Sequence, residues 1–305
     1  MRPWHRKAVA SNAKALIPFR GQLRSIYRRM RPYETDLPTN DKLFTDALTL
    51  VRFARESAGD LGGSAVLELG TGWVPVTTLL FSLTNPARIV LTDQERLLDA
   101  RTFDCASALL RNRAAEIATA LALAPAAVET ALCPAAEHWS LENRLKARAM
   151  QYHVPFDFAA APSASFDVIV SRAVLEHVRP DFLDTFARES MRLLRPGGVF
   201  CHIIDHSDHW EHSDKSISRV NFLQYPNWLF RLTHINPQDY QNRWRHSDYV
   251  QLFVRGGFQI VRETRQVDDA SKAALTSMPL APQFAGRDID DLATIQSLIV
   301  ARRPA

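Results

Sequence analysis

Residues 205–214, DHSDHWEHSD, bring seven side chains able to carry protons or ligate a metal into one short stretch: Asp205, His206, Asp208, His209, Glu211, His212 and Asp214. Histidine is the side chain best suited to moving a proton near neutral pH, so His206 and His209 are the candidate bases for a hydroxyl group. Carboxylates and imidazoles this dense could instead bind Mg²⁺ or Zn²⁺. The stretch has no recognised ligand spacing such as HExxH, so no metal ligands are assigned. A solvated polar loop is the plain alternative.

The second candidate is AVLELGTGWVPV, residues 65–76, where a buried-strand pattern reaches Glu68 and breaks at Gly70 and Gly72. Glycines at the carboxyl end of a strand let the backbone approach a ligand and adopt positive φ. A dinucleotide site wants GxGxxG, with the pyrophosphate on a helix N-terminus, but Pro75 stands at the third glycine position. An acid two residues before the first glycine also adds negative charge where a pyrophosphate would lie. A cationic ligand suits it better, and a nicotinamide-dependent oxidoreductase is disfavoured on the same grounds.

The chain resembles the class I S-adenosylmethionine-dependent methyltransferases, in particular the type 11-like members. The resemblance rests on VLELGTG with Glu68, Gly70 and Gly72, on IVLTD ending in Asp93, and on FDVIVSRAVLEHV followed by LLRPGG, all in family order over roughly residues 64–204. It implies S-adenosylmethionine as cofactor, with Gly70, Thr71 and Gly72 under its methionine part and Asp93 taking the ribose hydroxyls. Gln94 would border the adenine. Asp157, with Phe158 beside it, would face the adenine amino group, and Ser171 would end its strand beside the reacting methyl. Many members carry a third glycine where this chain has Val74 between Trp73 and Pro75. The turn is stiffer and bulkier for it. His177, in LEHV, is read as a structural hydrogen-bonder.

The elements that must position these groups alternate along the chain. Phe44, Leu48, Val51 and Ala54 recur at helical spacing and predict a helix before the first strand. Strands are expected at AVLELG, ARIVLTD, QYHVPFDF (ending near Asp157), residues 167–171, GVFCHIID, FQIVRET and ATIQSLIVAR, and the helix before GVFCHIID is stopped by RPGG. The expected fold is α/β: a Rossmann-like, mostly parallel seven-stranded sheet with helices on both faces, carrying helical and loop insertions. The last two strands lack a clear crossover helix between them, so one is expected to be antiparallel. The expected organisation is a basic arm and linker over 1–41 and a methyltransferase domain over 42–305, with insertions at about 99–150 and 205–247.

Charge is unevenly placed. Residues 1–31 hold nine Lys or Arg and no acid, leaving 28 basic against 33 acidic residues elsewhere, so the net charge of +4 belongs to the arm. Trp4, Leu16, Ile17, Phe19, Leu23, Ile26 and Tyr27 interleave with those cations. Peripheral contact with an anionic membrane is one use for such an arm, and packing on the main domain the other. No basic groove motif follows in the body, so no nucleic-acid partner is expected. Three widely spaced cysteines without a CxxC pair, and no apolar signal region, lead to the expectation of a cytoplasmic protein with reduced thiols. The expected activity is methyl transfer to a small or glycan-like acceptor, at a hydroxyl oxygen. The aromatics, Asn, Gln, Arg231, Arg243 and Arg245 of residues 221–249 would supply acceptor contacts. The alternative is a non-catalytic, methyltransferase-like cofactor-binding or regulatory module.

Overall fold

The computed structural model describes residues 3–15, 37–133, 136, 138–236 and 239–305. The basic arm beyond Ala15, and the linker up to residue 36, lie outside the described residues. The helical elements α1 (Pro3–Ala15) and α2 (Leu37–Ala58) precede the first strand, and α2 begins inside the stretch read as linker.

Short aliphatic runs become buried strands because both of their faces are covered. β1 (Ala65–Leu69) is buried at all five positions. Its side chains alternate: Val66 joins one apolar cluster, while Ala65, Leu67 and Leu69 join the other. β1 pairs in parallel with β2 (Arg88–Thr92) and β4 (Phe166–Arg172). β3 (Met150–His153) extends β2, and β5 (Leu194–Asp205) extends β4. β7 (Thr294–Arg302) runs antiparallel between β5 and β6 (Gln259–Val267). The sheet order is β3-β2-β1-β4-β5-β7-β6, seven strands that are mostly parallel with β7 antiparallel, as the missing last crossover implies. The outer strand β6 exposes Arg262, Glu263 and Arg265, charges that discourage pairing with another chain.

The helices α3 (Val76–Ser82), α4 (Ala100–Arg111), α5 (Ala114–Leu121), α6 (Pro125–Ala131) and α7 (Leu141–Lys146) follow one another between the first and third strands. Phe103, Leu110, Ile117 and Leu121 of this region are buried in the larger apolar cluster together with α2. On the opposite face, α8 (Pro180–Leu193) starts on a proline, whose fixed φ suits a first helical turn. It buries Leu183, Ala187, Ser190 and Leu193 at helical spacing, beside α10 (His246–Arg255).

Two differences from the sequence pattern have plain causes. β3 stops at His153 instead of near Asp157, because Pro155 has no N–H to continue a ladder. Residues 205–247, which show no continuous core pattern, nevertheless bury a third apolar cluster. Val220, Phe222, Leu223 and, from α9 (Asn227–Thr233), Phe230 pack against Leu275 of α11 (Asp269–Leu275), Ala281, Phe284 and Leu292 of α12 (Ile289–Ala293). No single helix among the described residues is long and apolar enough to cross a membrane.

Candidate active site

The carboxyl ends of β1, β2, β4 and β5 meet on one edge of the sheet, and the sequence-marked groups gather there. Gly70 has φ +67°, and a Cβ on it would lie 2.4 Å from Cγ2 of Val174. Gly72 has φ +70°, with no atom within 4 Å of where its Cβ would be. One glycine therefore admits a neighbouring loop, and the other leaves open space above the turn. The Gly72 amide donates to Oδ2 of Asp93 at 2.8 Å, and the Gln94 amide donates to Oδ1 at 2.7 Å. The Thr71 amide donates to the Thr92 carbonyl at 2.9 Å, joining the turns after β1 and β2 once more.

Glu68 is buried beneath the turn. It accepts hydrogen bonds from the hydroxyls of Thr71 and Thr78, and burial raises its pKa against the pull of those donors. Asp157 lies in the loop after β3, where Oδ1 accepts from the amides of Ala159 and Ala160 at 3.0 and 3.2 Å. Phe158 packs edge-on against Phe156 and Phe186. The Ser171 hydroxyl is fully enclosed at 2.6 Å from Nδ1 of His202, so only its backbone borders the strand end.

The stretch after β5 is fastened rather than solvated. Oδ1 of Asp205 accepts from the amide and hydroxyl of Ser207, and Oδ1 of Asp208 accepts from the Trp210 amide. Trp4 and Ala8 of α1 pack against Trp210 and Ile217, and the Trp4 amide donates to Asp214 at 3.3 Å.

The two candidate histidines part company here, which corrects the sequence expectation for His206. It is 2% exposed, and both ring nitrogens are taken, Nδ1 by the Trp244 carbonyl at 3.0 Å and Nε2 by the Ser297 hydroxyl at 2.7 Å. Burial, reinforced by Arg245, lowers its pKa to about 3, so it stays neutral and offers nothing to a ligand. His209 is half-buried in a 3₁₀ turn (His209–His212), and its Nε2 has no hydrogen-bond partner and lies 3.7 Å from Oδ2 of Asp205. Burial opposes its charge, but the Asp205 carboxylate outweighs burial and raises its pKa. For Asp205 burial likewise opposes ionisation, and His209 with the Ser207 donors holds it well below the ordinary carboxylate range.

Glu176 and His177 join this group without having been assigned any chemistry from sequence. They sit in a 3₁₀ turn (Leu175–His177) just beyond β4, and β4 and β5 are neighbours. Glu176 is 2% exposed, neither of its carboxylate oxygens has a hydrogen-bond partner, and burial together with Asp205 pushes its pKa up to about 8. Nδ1 of His177 hydrogen-bonds to the Tyr240 carbonyl at 2.7 Å. The His177 and His209 rings are 5.1 Å apart. The acid beside a histidine in LEHV is the one local signal, and nothing in the chain ties it to a residue past the next strand.

A cavity of about 1120 Å³ opens beside these groups. Gln94, His177, Tyr240, Phe230, Arg231 and Arg243 are among the residues that line it. Two arginines read as acceptor contacts have structural partners instead. Arg245 is completely buried and donates to the backbone carbonyls of His206, Leu292 and Thr294. Arg243 donates to the carbonyls of Phe222 and Tyr225 and to Asn227, and stacks over Phe230.

Residues 104–202 match the methyltransferase domain family. Among solved structures, an S-adenosylmethionine-dependent methyltransferase from Mesorhizobium loti is 15% identical; 82% of this chain and 96% of that chain are covered, with a TM-score of 0.45. Phosphoethanolamine N-methyltransferase 2 from Haemonchus contortus, in complex with S-adenosyl-L-methionine, is 13% identical, with 86% of this chain and 53% of that one covered and a TM-score of 0.46. No curated protein matches the chain. The domain match falls on β3, β4, α8 and most of β5, and the turns after β1 and β2 complete the same sheet edge. Over residues 104–202 the chain matches the methyltransferase domain, on a sheet whose order and strand-end motifs resemble those of class I S-adenosylmethionine-dependent methyltransferases.

S-adenosylmethionine is the cofactor that the methyltransferase domain match implies, and the residues present fit it. Open space over a left-handed Gly72, a carboxylate pinned at the end of β2, and a buried acid under the turn together make a cradle for a nucleoside that carries positive charge.

Proposed function

We propose that the enzyme methylates an oxygen of a small, polar, glycan-like acceptor seated in the cavity between Gln94 and His177. The observation that carries this reading is the cavity itself, whose lining includes both Gln94, next to Asp93, and His177, next to His209. S-adenosylmethionine supplies, when bound, a methyl group already activated by its sulfonium. The protein's part is then alignment and the handling of one proton.

In this reading Gly70, Thr71 and Gly72 carry the methionine portion on their backbone, and Glu68 holds the turn through Thr71 and Thr78. Asp93 keeps its two amide donors and has lone pairs left for a ribose diol. Gln94, Asp157 and Phe158 border the adenine, and Ser171 contributes main chain where its strand ends. His209 receives the acceptor's hydroxyl proton, with Asp205 steadying the charged imidazole. His206 is a positioning residue. Tyr240 and the aromatic face of half-buried Trp244, both lining the cavity, offer a polar and stacking surface for a hydroxylated ring.

Transfer of a tritiated methyl group from S-adenosylmethionine to hydroxylated metabolites tests the reading. Product labelled at oxygen supports it. Cofactor binding with no labelled product from any metabolite fraction would favour a non-catalytic binding module.

A further inference from the structure

We propose that Glu176, His177 and His209 form a binding site for one divalent transition-metal ion, open to the acceptor cavity. One ligand atom from each of the three lies within 4.8 Å of the others. An ion at about 2.0–2.2 Å from nitrogen and oxygen ligands would draw them somewhat closer, a matter of small side-chain rotations.

The unpartnered atoms indicate what the site takes. Both carboxylate oxygens of Glu176 are buried without a hydrogen-bond partner, and Nε2 of His209 has none either, its nearest acid being Asp205 at 3.7 Å. Buried polar groups are as a rule satisfied, and an unpaired buried carboxylate with a ligand atom within 4.8 Å of one on each of two imidazoles calls for a shared partner that accepts lone pairs. A cation does that. His177 has the tautomer such a site needs: Nδ1–H donates to the Tyr240 carbonyl, which leaves Nε2 bare. Metal-bound histidines commonly use a backbone carbonyl in this way.

The site is also held in place. Asn242 donates through its amide to the Glu176 carbonyl, and through its side chain to the carbonyls of Leu175 and Val178. The side chain of neighbouring Gln241 accepts from the His209 amide and donates to the Ser207 carbonyl. Residues 241 and 242 therefore clamp both 3₁₀ turns, one after each of two adjacent strands.

Two imidazoles and one carboxylate suit zinc, iron or cobalt better than the oxygen-preferring Mg²⁺ or Ca²⁺. Three protein ligands leave positions for other oxygens, and His177 lines the cavity in which an acceptor would present them. The inference rests on the proposed function only in taking this cavity as the acceptor's. With the ion bound, His209 serves as a ligand, and the ion, not the free imidazole, meets the acceptor oxygen.

The test uses the full-length chain, stripped with chelator and titrated with Co²⁺ under visible absorption and with Zn²⁺ in a calorimeter. One ion per chain is expected, with Co²⁺ bands characteristic of nitrogen and oxygen ligation. Glu176→Gln, His177→Gln and His209→Gln should each weaken binding at least about 10-fold. His153→Gln, at an exposed histidine on β3, should leave binding unchanged. Absence of Co²⁺ bands in the wild-type protein would overturn the proposal whatever the variants do. So would Mg²⁺ displacing Co²⁺, or unchanged metal affinity in all three ligand variants. S-adenosylhomocysteine affinity, measured on the same samples without metal, shows whether each variant has kept its fold. It also keeps the methyltransferase reading separate, because cofactor binding and methyl transfer without any metal would remove the ion and leave His209 as the base.

Discussion

The Gly72 amide points at Oδ2 of Asp93 across 2.8 Å, so the turn after β1 and the acid ending β2 behave as one unit. Residues 21 positions apart in the chain share a hydrogen bond because β1 and β2 are paired in parallel, with Leu69 opposite Thr92. Anything that moves the turn moves the carboxylate.

The two glycines should therefore respond differently to alanine. Gly72→Ala forces a side chain into left-handed backbone but meets no atom, for a cost of about 1–2 kcal/mol. The protein should fold, with a slightly lower melting temperature and weaker cofactor binding. Gly70→Ala adds a collision with Val174 to the same strain and should lose much more stability. The double substitution Gly70→Ala/Val174→Ala should recover part of that loss. Thermal denaturation of the four proteins checks the order.

His206 and His209 should separate by readout. His209→Gln is expected to lower kcat by roughly 10²–10⁴-fold with little change in melting temperature, as loss of a general base does. His206→Gln breaks the Trp244 and Ser297 contacts in the core and should lower the melting temperature. Kinetics and calorimetric scans on the pair of variants decide between the roles.

Stability should fall with acid in a defined window. Burial lowers His202 and His206 to about 3 and His234 to about 4, so the native state binds these protons late. The unfolded chain takes them up near the ordinary value of about 6.5, and stability is full above that pH. It then declines as pH falls from about 6.5 toward 3–4, by roughly 1.4 kcal/mol per pH unit for each histidine. Urea unfolding between pH 7 and 4 should show this slope, and His202→Gln should flatten it.

The chain pattern carried the sheet because strand and helix periods are local. β1 and the helix that ends at RPGG are each readable within about fifteen residues, and so is the run of Glu68, Gly70 and Gly72. The meeting of Glu176 with His209 escaped the same reading: 33 positions separate them, and only the pairing of β4 with β5 brings them together. Residues 221–230 looked coreless because their apolar partners, Leu275, Phe284 and Leu292, come some fifty residues later. Arg245 resembled a ligand contact for a related reason. Its guanidinium satisfies carbonyls at 206, 292 and 294, and no local periodicity marks a cation destined for the interior.

Calorimetric titration of S-adenosylhomocysteine into the purified chain, beside its Asp93→Ala variant, bears most directly on the cofactor cradle. One molecule should bind per wild-type chain, and affinity should drop about 10-fold or more in Asp93→Ala, since hydrogen bonds to a charged group contribute about 1.5–3 kcal/mol. No binding to the wild-type protein, or equal affinity in the variant, would contradict a cofactor held between Gly72 and Asp93.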